Sequence, residues 1–517
     1  MMKVGKWALG LGLLIMTLTW GCNNRTFDPA TEGTLEFDQD TVKFDTIFTT
    51  LQAPSKRLIV YNKVRDALAI ERVWLDLGAA SEFSLIVDGI RGDDVSDLVI
   101  NGRDSMHVFV TMKSQERDNF AQDYINFQVG GEVQRVLIQA FVLDAYFLQA
   151  RLLQPDVNSL AVQGFVFDND TTLTPDKPIV VDGPVLVLPG VTVTVLPGTQ
   201  LFFTPYKFGV RDTFDIPTFV FFSTLIVYGT LNAEGTAQQP IVFTGSRLDS
   251  NYRENPAQWR GIRFGATSKD NVLRHVQVRN ALVGLQVDSL SVNNQPKLRV
   301  QYSEVRNMGA YGVWGLGFDE SGNAANTPPM LLMENSIVTT CKERTFFAWG
   351  GGHYQIFNCT FGNFNLARPR FSRRTPQVAV GNYYIDPFNR TLTIYPCIAN
   401  FTNCVLWGSE EDEFVLDTVA GYPAENVRLN HCLIRTSADY APFVTPHYTN
   451  CLVNQDPLFN DFMERDYRPK NGSPVINAGI SFPAGSSGYA DDYRGRSDSL
   501  RYDGFDIGAW EWWPIED

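Results

Sequence analysis

The chain has 517 residues and a formal charge of -14, with a pI near 4.9; this excludes a nucleic-acid partner, because phosphate binding needs clustered Lys and Arg. At 44% hydrophobic and 19% charged it has the composition of a folded protein, and it is too long for one core, so two or more domains are expected. The 41 Gly and 27 Pro among abundant Val, Thr, Phe and Tyr predict many short strands with tight turns, an all-β chain.

Lys3 and Lys6 precede an apolar stretch at 8–20 that is too short to span a bilayer, and Gly21-Cys22 follows at once. This is the pattern of a secretory signal. A small residue directly before Cys at the end of such a segment resembles the bacterial lipobox. That resemblance implies that 1–22 is a lipoprotein signal, that Cys22 is lipidated, and that the lipid holds the protein to a membrane. Residues 23–33 are then a polar tether. The implied location is the cell envelope, as an outer-membrane lipoprotein; Asn23-Asn24-Arg25 carries no acidic export signal, and the periplasmic and surface sides both stay open.

Between 34 and 150 the sequence alternates in short blocks such as Arg57-Leu58-Ile59-Val60-Tyr61, Phe83-Ser84-Leu85-Ile86-Val87 and Val136-Leu137-Ile138-Gln139-Ala140, with turns at Asp88-Gly89 and Gly130-Gly131. Such spacing predicts an immunoglobulin-like β-sandwich. The block from Phe44 to Thr50 also resembles the sandwich that precedes β-helices in envelope lipoproteins of Gram-negative bacteria. Residues 151–177 read as a linker.

From 178 the grammar changes. Val185-Leu186-Val187-Leu188-Pro189-Gly190 and Val191-Thr192-Val193-Thr194-Val195-Leu196-Pro197-Gly198 open a run of strands bounded by Gly turns. Downstream, Asn-Cys-apolar-apolar recurs at Asn358-Cys359, Asn403-Cys404 and Asn450-Cys451, with His431-Cys432 as a looser copy and Ser versions at Asn335-Ser336 and Tyr302-Ser303. Intervals of roughly 20 to 45 residues mean stacked supersecondary units, and the short apolar runs between copies make each unit a β-coil. Residues 178–453 resemble a right-handed parallel β-helix, the fold of pectate lyases and their non-catalytic relatives. Six Cys remain after Cys22, an even count that in an exported protein invites disulfides; four share one place in the repeat, so a reduced internal column is expected, with disulfides as the alternative. Neither a CxxC pair nor a Cys/His metal spacing occurs.

The tail, 454–517, contains Asn454-Gln455-Asp456-Pro457-Leu458-Phe459, Gly472-Ser473-Pro474-Val475-Ile476-Asn477-Ala478-Gly479 and Asp506-Ile507-Gly508-Ala509-Trp510-Glu511. These segments resemble the choice-of-anchor Q module that closes bacterial β-helix proteins. The resemblance implies an end cap over the last coil and no particular reaction.

Chemistry is thinly marked. Arg368, Arg370, Arg373 and Arg374 form the one basic cluster of an acidic chain, and Arg forks suit carboxylates and sulfates, so these four are the candidate glycan-binding residues. A solvated loop, or pairing with Glu410-Glu411-Asp412-Glu413, is the alternative. Asp168-Asn169-Asp170 offers hard oxygens to Ca²⁺ and equally suits a plain turn; no other cofactor is indicated. Gly350-Gly351-Gly352-His353-Tyr354 fits a sharp turn; Trp510, Trp512 and Trp513 fit a hydrophobic lid over the final coil, with stacking on sugar rings as the alternative. The Arg-x-Pro-x-x-Arg signature of pectate lyases is missed by Arg368-Pro369-Arg370-Phe371-Ser372-Arg373-Arg374, and no His-Gly accompanies the Asp-Asp pairs at Asp93-Asp94 and Asp491-Asp492. The expectation is a non-catalytic envelope lipoprotein whose solenoid binds a glycan or an envelope protein; the alternative is a polysaccharide lyase or glycoside hydrolase on the same scaffold.

Overall fold

The computed structural model describes residues 29–48, 55–113, 119–149, 151–153, 162–205, 207–208, 220–221, 223–249, 252–318, 323–364, 373–385, 390–419, 426–481 and 504–512. Contacts divide the chain into two units between Leu143 and Asp144. The first is a β-sandwich. One sheet carries Lys56–Tyr61, Ser105–Met112 and Phe83–Val87, and the other carries Thr41–Phe48, Glu132–Leu143, Asn119–Val129, Leu68–Leu75 and Asp94–Ile100. The alternation legible in the sequence is the cause, since Leu58, Val60, Leu85, Val87, Ile125, Phe127, Val136 and Ile138 all point into one core while their neighbours face out. Ala30, expected in the tether, already pairs with this unit: its N–H donates to the Ala67 carbonyl at 2.7 Å.

The second unit is a parallel β-helix of three sheets. The first sheet runs from Tyr146–Gln149 to Leu452–Val453, the second from Arg151–Leu153 to Phe414–Asp417, and the third from Thr171–Leu173 to Tyr448–Thr449. Each coil adds one strand to each sheet, so side chains stack in columns along the axis. In the first sheet one inward column is Ile179, Leu201, Phe243, Val278, Val305, Val338, Phe361, Leu406 and Ile434, and the residues of this column lie in the continuous core. The solenoid begins earlier than the sequence predicts. Tyr146–Gln149 pairs parallel with Ile179–Asp182, and Val162–Phe167 with Pro184–Val187, so 151–177 contributes strands where a linker is expected. The first coil lacks the Gly punctuation that marks the later ones, and its strands are held by the rung stacked on them.

The Asn-Cys repeat is a corner between the third and first sheets. His275, Tyr302, Asn335, Asn358, Asn403, His431 and Asn450 all have φ between 46° and 53°, a left-handed conformation that Asn tolerates better than other non-Gly residues. The next residue is Val276 after His275 and Ser303, Ser336, Cys359, Cys404, Cys432 or Cys451 in the later coils. The serines bond across coils, with the Ser303 N–H donating to Ser336 Oγ at 3.1 Å, and the thiols donate to backbone carbonyls, Cys404 Sγ to Thr402 O at 3.2 Å. All six described cysteines are free. Burial pushes the Cys341 and Cys397 thiols up to about 12, which keeps them protonated and unreactive.

The tail covers a side of the solenoid, and the end is closed by other residues. Ile337, Val405 and Leu433 form an outward apolar row of the first sheet, and Val475, Ile507, Ala509, Phe459 and Tyr467 pack on it. The Ala509 N–H donates to Thr360 Oγ1 at 3.0 Å and the Ile480 N–H to Asn403 Oδ1 at 2.9 Å. Gly362 is required for the approach, because a Cβ there would lie 2.7 Å from the Tyr467 ring. At the end itself the short helix Ala441–Val444 places Val444 in the core, and Tyr440 Oη accepts from the N–H of Leu416 in the last second-sheet strand at 2.8 Å. An edge strand left bare would present unpaired peptide groups.

Candidate functional site

The second sheet carries the site. Along Tyr311–Leu316 and Arg344–Trp349, Val313, Phe346 and Ala348 face the core, so the alternating residues Trp314, Leu316, Phe347 and Trp349 face outward. Register places Gln286, Trp314 and Phe347 in one outward row and Asp288, Leu316 and Trp349 in the next. The rings make a strip. Trp314 and Trp349 lie 6.2 Å apart at 14°, and Phe347 and Trp349 5.9 Å apart at 11°. Tyr311 joins Trp314 and Phe347 at 5.5 and 5.3 Å, while Tyr384 and Phe318 meet Trp349 edge-on. Near-parallel planes on a rigid sheet form an apolar strip, half-buried by its own neighbours, and the Arg344 guanidinium lies over the Phe347 ring at 5.3 Å.

Polar groups border this strip. Asp288 accepts from Arg263 Nε at 2.6 Å and from Gln286 Nε2 at 2.9 Å, and Asp417 accepts from Tyr383 Oη at 2.9 Å. Burial and the neighbouring Glu343 push the Tyr311 hydroxyl up to about 12, so it stays a neutral donor. Trp314 Nε1–H is shielded from solvent and has no hydrogen-bond partner among the described residues. Beneath one edge the Lys297 amine donates to Asp288 O at 2.6 Å, Ala266 O at 3.0 Å and Ser289 Oγ at 2.9 Å; burial pulls its pKa down to about 8. It clamps the turn under Asp288. Aromatic side chains therefore dominate the strip, with Asp288 paired to Arg263 and Arg344 over Phe347 at its margin, an arrangement that suits contact with the apolar face of a sugar ring and hydroxyl hydrogen bonds at the margin.

The residues expected from sequence lie elsewhere. Cys22, Arg368 and Arg370 fall outside the described residues. Arg374 is exposed, whereas Arg373 is buried and bonds to Glu413, Nη2 to Oε1 at 2.6 Å, with side-chain exposures of 2% and 0%. Arg373 is therefore no ligand residue but half of an internal ion pair, which corrects its place in the basic cluster. Glu413 also accepts from the N–H groups of Glu410 at 3.0 Å and Gln377 at 3.2 Å; burial pushes its carboxyl up, against the pull of Arg373. Asp168, Asn169 and Asp170 are an exposed turn in which Asp170 Oδ1 accepts from the Thr192 N–H at 2.8 Å, and no described group of three or more His, Cys, Asp or Glu is placed to hold a metal ion. Gly350, Gly351 and Gly352 all have positive φ, and Tyr354 Oη donates back to Gly351 O at 2.9 Å, a closed turn. Trp510 packs on the tail cluster and Trp512 is half-buried beside it; Trp513 is outside the described residues. The strip escaped the sequence reading because Phe346-Phe347-Ala348-Trp349 does not say which parity faces the core; the available signal was Trp314 and Trp349 recurring in adjacent coils.

Fold and site together define a class, an all-β protein of a sandwich and a β-helix whose second sheet exposes aromatic rings. No family model and no curated protein matches the chain. Among solved structures, the chaperone DraB of E. coli aligns with 22% of this chain and 55% of its own, at 11% identity and a TM-score of 0.15. A family 123 glycoside hydrolase from Clostridium perfringens, studied for glycolipid glycan hydrolysis, aligns with 21% of this chain and 26% of its own, at 6% identity and a TM-score of 0.16. The chain thus spans about half and a quarter of those two lengths, and likenesses at these scores carry no argument.

Proposed function

We propose that this chain is a non-catalytic cell-envelope lipoprotein, anchored through Cys22, whose β-helix binds a neutral or weakly charged glycan along the second sheet. The observation that carries this reading is the pair of near-parallel indoles, Trp314 and Trp349, held with Phe347 on the outer face of consecutive coils. A solenoid supports it because stacked coils fix ring positions without a mobile loop. A glycoside hydrolase would need a carboxyl held protonated in an open groove; among the described residues, the carboxyl that burial pushes up, Glu413, is sealed against Arg373. The basic-cluster version, in which an anionic glycan meets four arginines, loses Arg373 to that pair. The test is a glycan array probed with the full-length protein and with Trp314→Ala/Trp349→Ala. The reading expects glycans retained by the wild type and lost by the variant, with no products released; retention unchanged in the variant, or unsaturated uronate or new reducing ends in the supernatant, would count against it.

A further inference from the structure

A second site lies where the tail leaves the solenoid. A cleft of about 900 Å³ opens beside Trp407, within the size range of small-ligand sites. Its walls are prebuilt. Asp412 accepts from Thr436 Oγ1 at 3.1 Å and from the Ser437 N–H at 2.7 Å, and Asn454 both accepts from the Thr436 N–H at 2.9 Å and donates to its carbonyl at 2.8 Å. Behind Gly408 stands the Arg373–Glu413 pair, so close that a Cβ at Gly408 would lie 2.3 Å from Glu413 Oε1. Such walls lose little freedom on binding.

Among the described lining residues the charges balance. Glu411, Asp456, Arg435 and Lys470 all line the cleft, and neither the Glu411 carboxylate nor the Lys470 ammonium has a partner among the described residues. A polyanion or polycation would meet a like charge on one side. The rings here are largely occupied: Arg435 lies over Trp407 at 5.5 Å, Trp407 packs on the tail cluster, and Phe364 stacks on Phe462 at 4.2 Å. A sugar therefore finds little open face. Among the large apolar residues of the lining, Leu458 at 40% and Phe462 at 37% are exposed.

We propose that this cleft binds a short zwitterionic peptide, with Glu411 and Asp456 taking its ammonium, Lys470 and Arg435 its carboxylate, and Leu458 and Phe462 an apolar side chain between them. The site is separate from the aromatic strip and stands or falls independently of glycan binding. Calorimetric titration of the full-length protein with Ala-Leu-Ala, Ala-Phe-Ala and Ala-Val-Ala, each with free ends and as the N-acetyl amide, tests it. Free forms should bind about tenfold or more tighter than blocked ones, and Glu411→Gln and Lys470→Gln should each weaken binding about threefold, as expected for exposed charge contacts. Both residues are exposed, so melting should not move, and Trp314→Ala should leave peptide affinity unchanged. No binding by any free tripeptide, equal affinity for free and blocked forms, or tighter binding of trigalacturonate than of any peptide would overturn the proposal.

Discussion

Arg373→Ala should weaken the coils around it severely at neutral pH, and acid should relieve the defect. The Arg373 and Glu413 side chains are 2% and 0% exposed with their charged atoms 2.6 Å apart, so removing Arg373 strands a carboxylate that water cannot reach. Breaking a buried pair from one side costs about 3–5 kcal/mol. Two backbone N–H groups still hold Glu413, which favours the lower part of that range. Arg373 Nη2 also donates to Asn363 O at 2.9 Å, a bond the variant loses as well. The sign of the pH effect follows from Glu413. Burial already lifts its pKa, and losing Arg373 lifts it further. A carboxyl whose folded pKa lies above the unfolded value costs stability above the folded pKa, and that cost fades as pH falls through the folded pKa towards the ordinary range. Urea unfolding followed by tryptophan fluorescence should therefore show the full deficit near pH ~7.5 and a smaller one near pH ~5. Glu413→Gln strands a cation instead, and acid should not relieve it. The double change Arg373→Met/Glu413→Gln should cost less than either single one. A deficit in Arg373→Ala below about 1 kcal/mol, or one that grows on acidification, would refute the buried-pair account.

Two further outcomes follow from the corner column and the anchor. Cys404→Asp buries a carboxylate in a column whose thiols meet backbone carbonyls and one another, so it should destabilise by a few kcal/mol, about 3 or more, while Cys404→Ala stays near 1 kcal/mol. Thiol counting in denaturant without reductant should find the six described cysteines reactive, and a majority blocked would replace the column with disulfides. Cys22→Ala removes the thiol that would accept a lipid, so fatty-acid labelling and membrane fractionation should both be lost; undiminished labelling would place the lipid elsewhere or nowhere.

The architecture was readable because its physics is repetitive. Asn358, Asn403 and Asn450 recur because the corner demands positive φ, and the following small residue recurs because it stacks on its own copy. Leu58-Ile59-Val60 and its like in the sandwich alternate because one face is wet. The first coil was less legible: Val162–Phe167 is a strand because Pro184–Val187 lies beside it, a long-range cause that no local pattern displays. The same reason hid the tail's position. Ile507 and Ala509 read as apolar, and only the stacked row Ile337, Val405 and Leu433 says where they go. Sites were least legible of all. Arg373 stands next to exposed Arg374 in sequence, and burial separates their roles completely; Trp314 and Trp349 become one surface only through the register of adjacent coils.

The most direct test of the glycan-binding account is calorimetric titration of an array-selected neutral oligosaccharide into the wild type and into Trp314→Ala, with the melting curve of each as control. Loss of one stacked ring should weaken binding by about 1–2 kcal/mol, roughly 5- to 30-fold, at a melting temperature close to the wild type's, since Trp314 faces outward and the core residues Val313 and Phe346 are untouched. Added salt should change the affinity little, because a neutral oligosaccharide brings no charge for the salt to screen. Equal affinity for the two proteins, or binding that salt abolishes, would contradict the account.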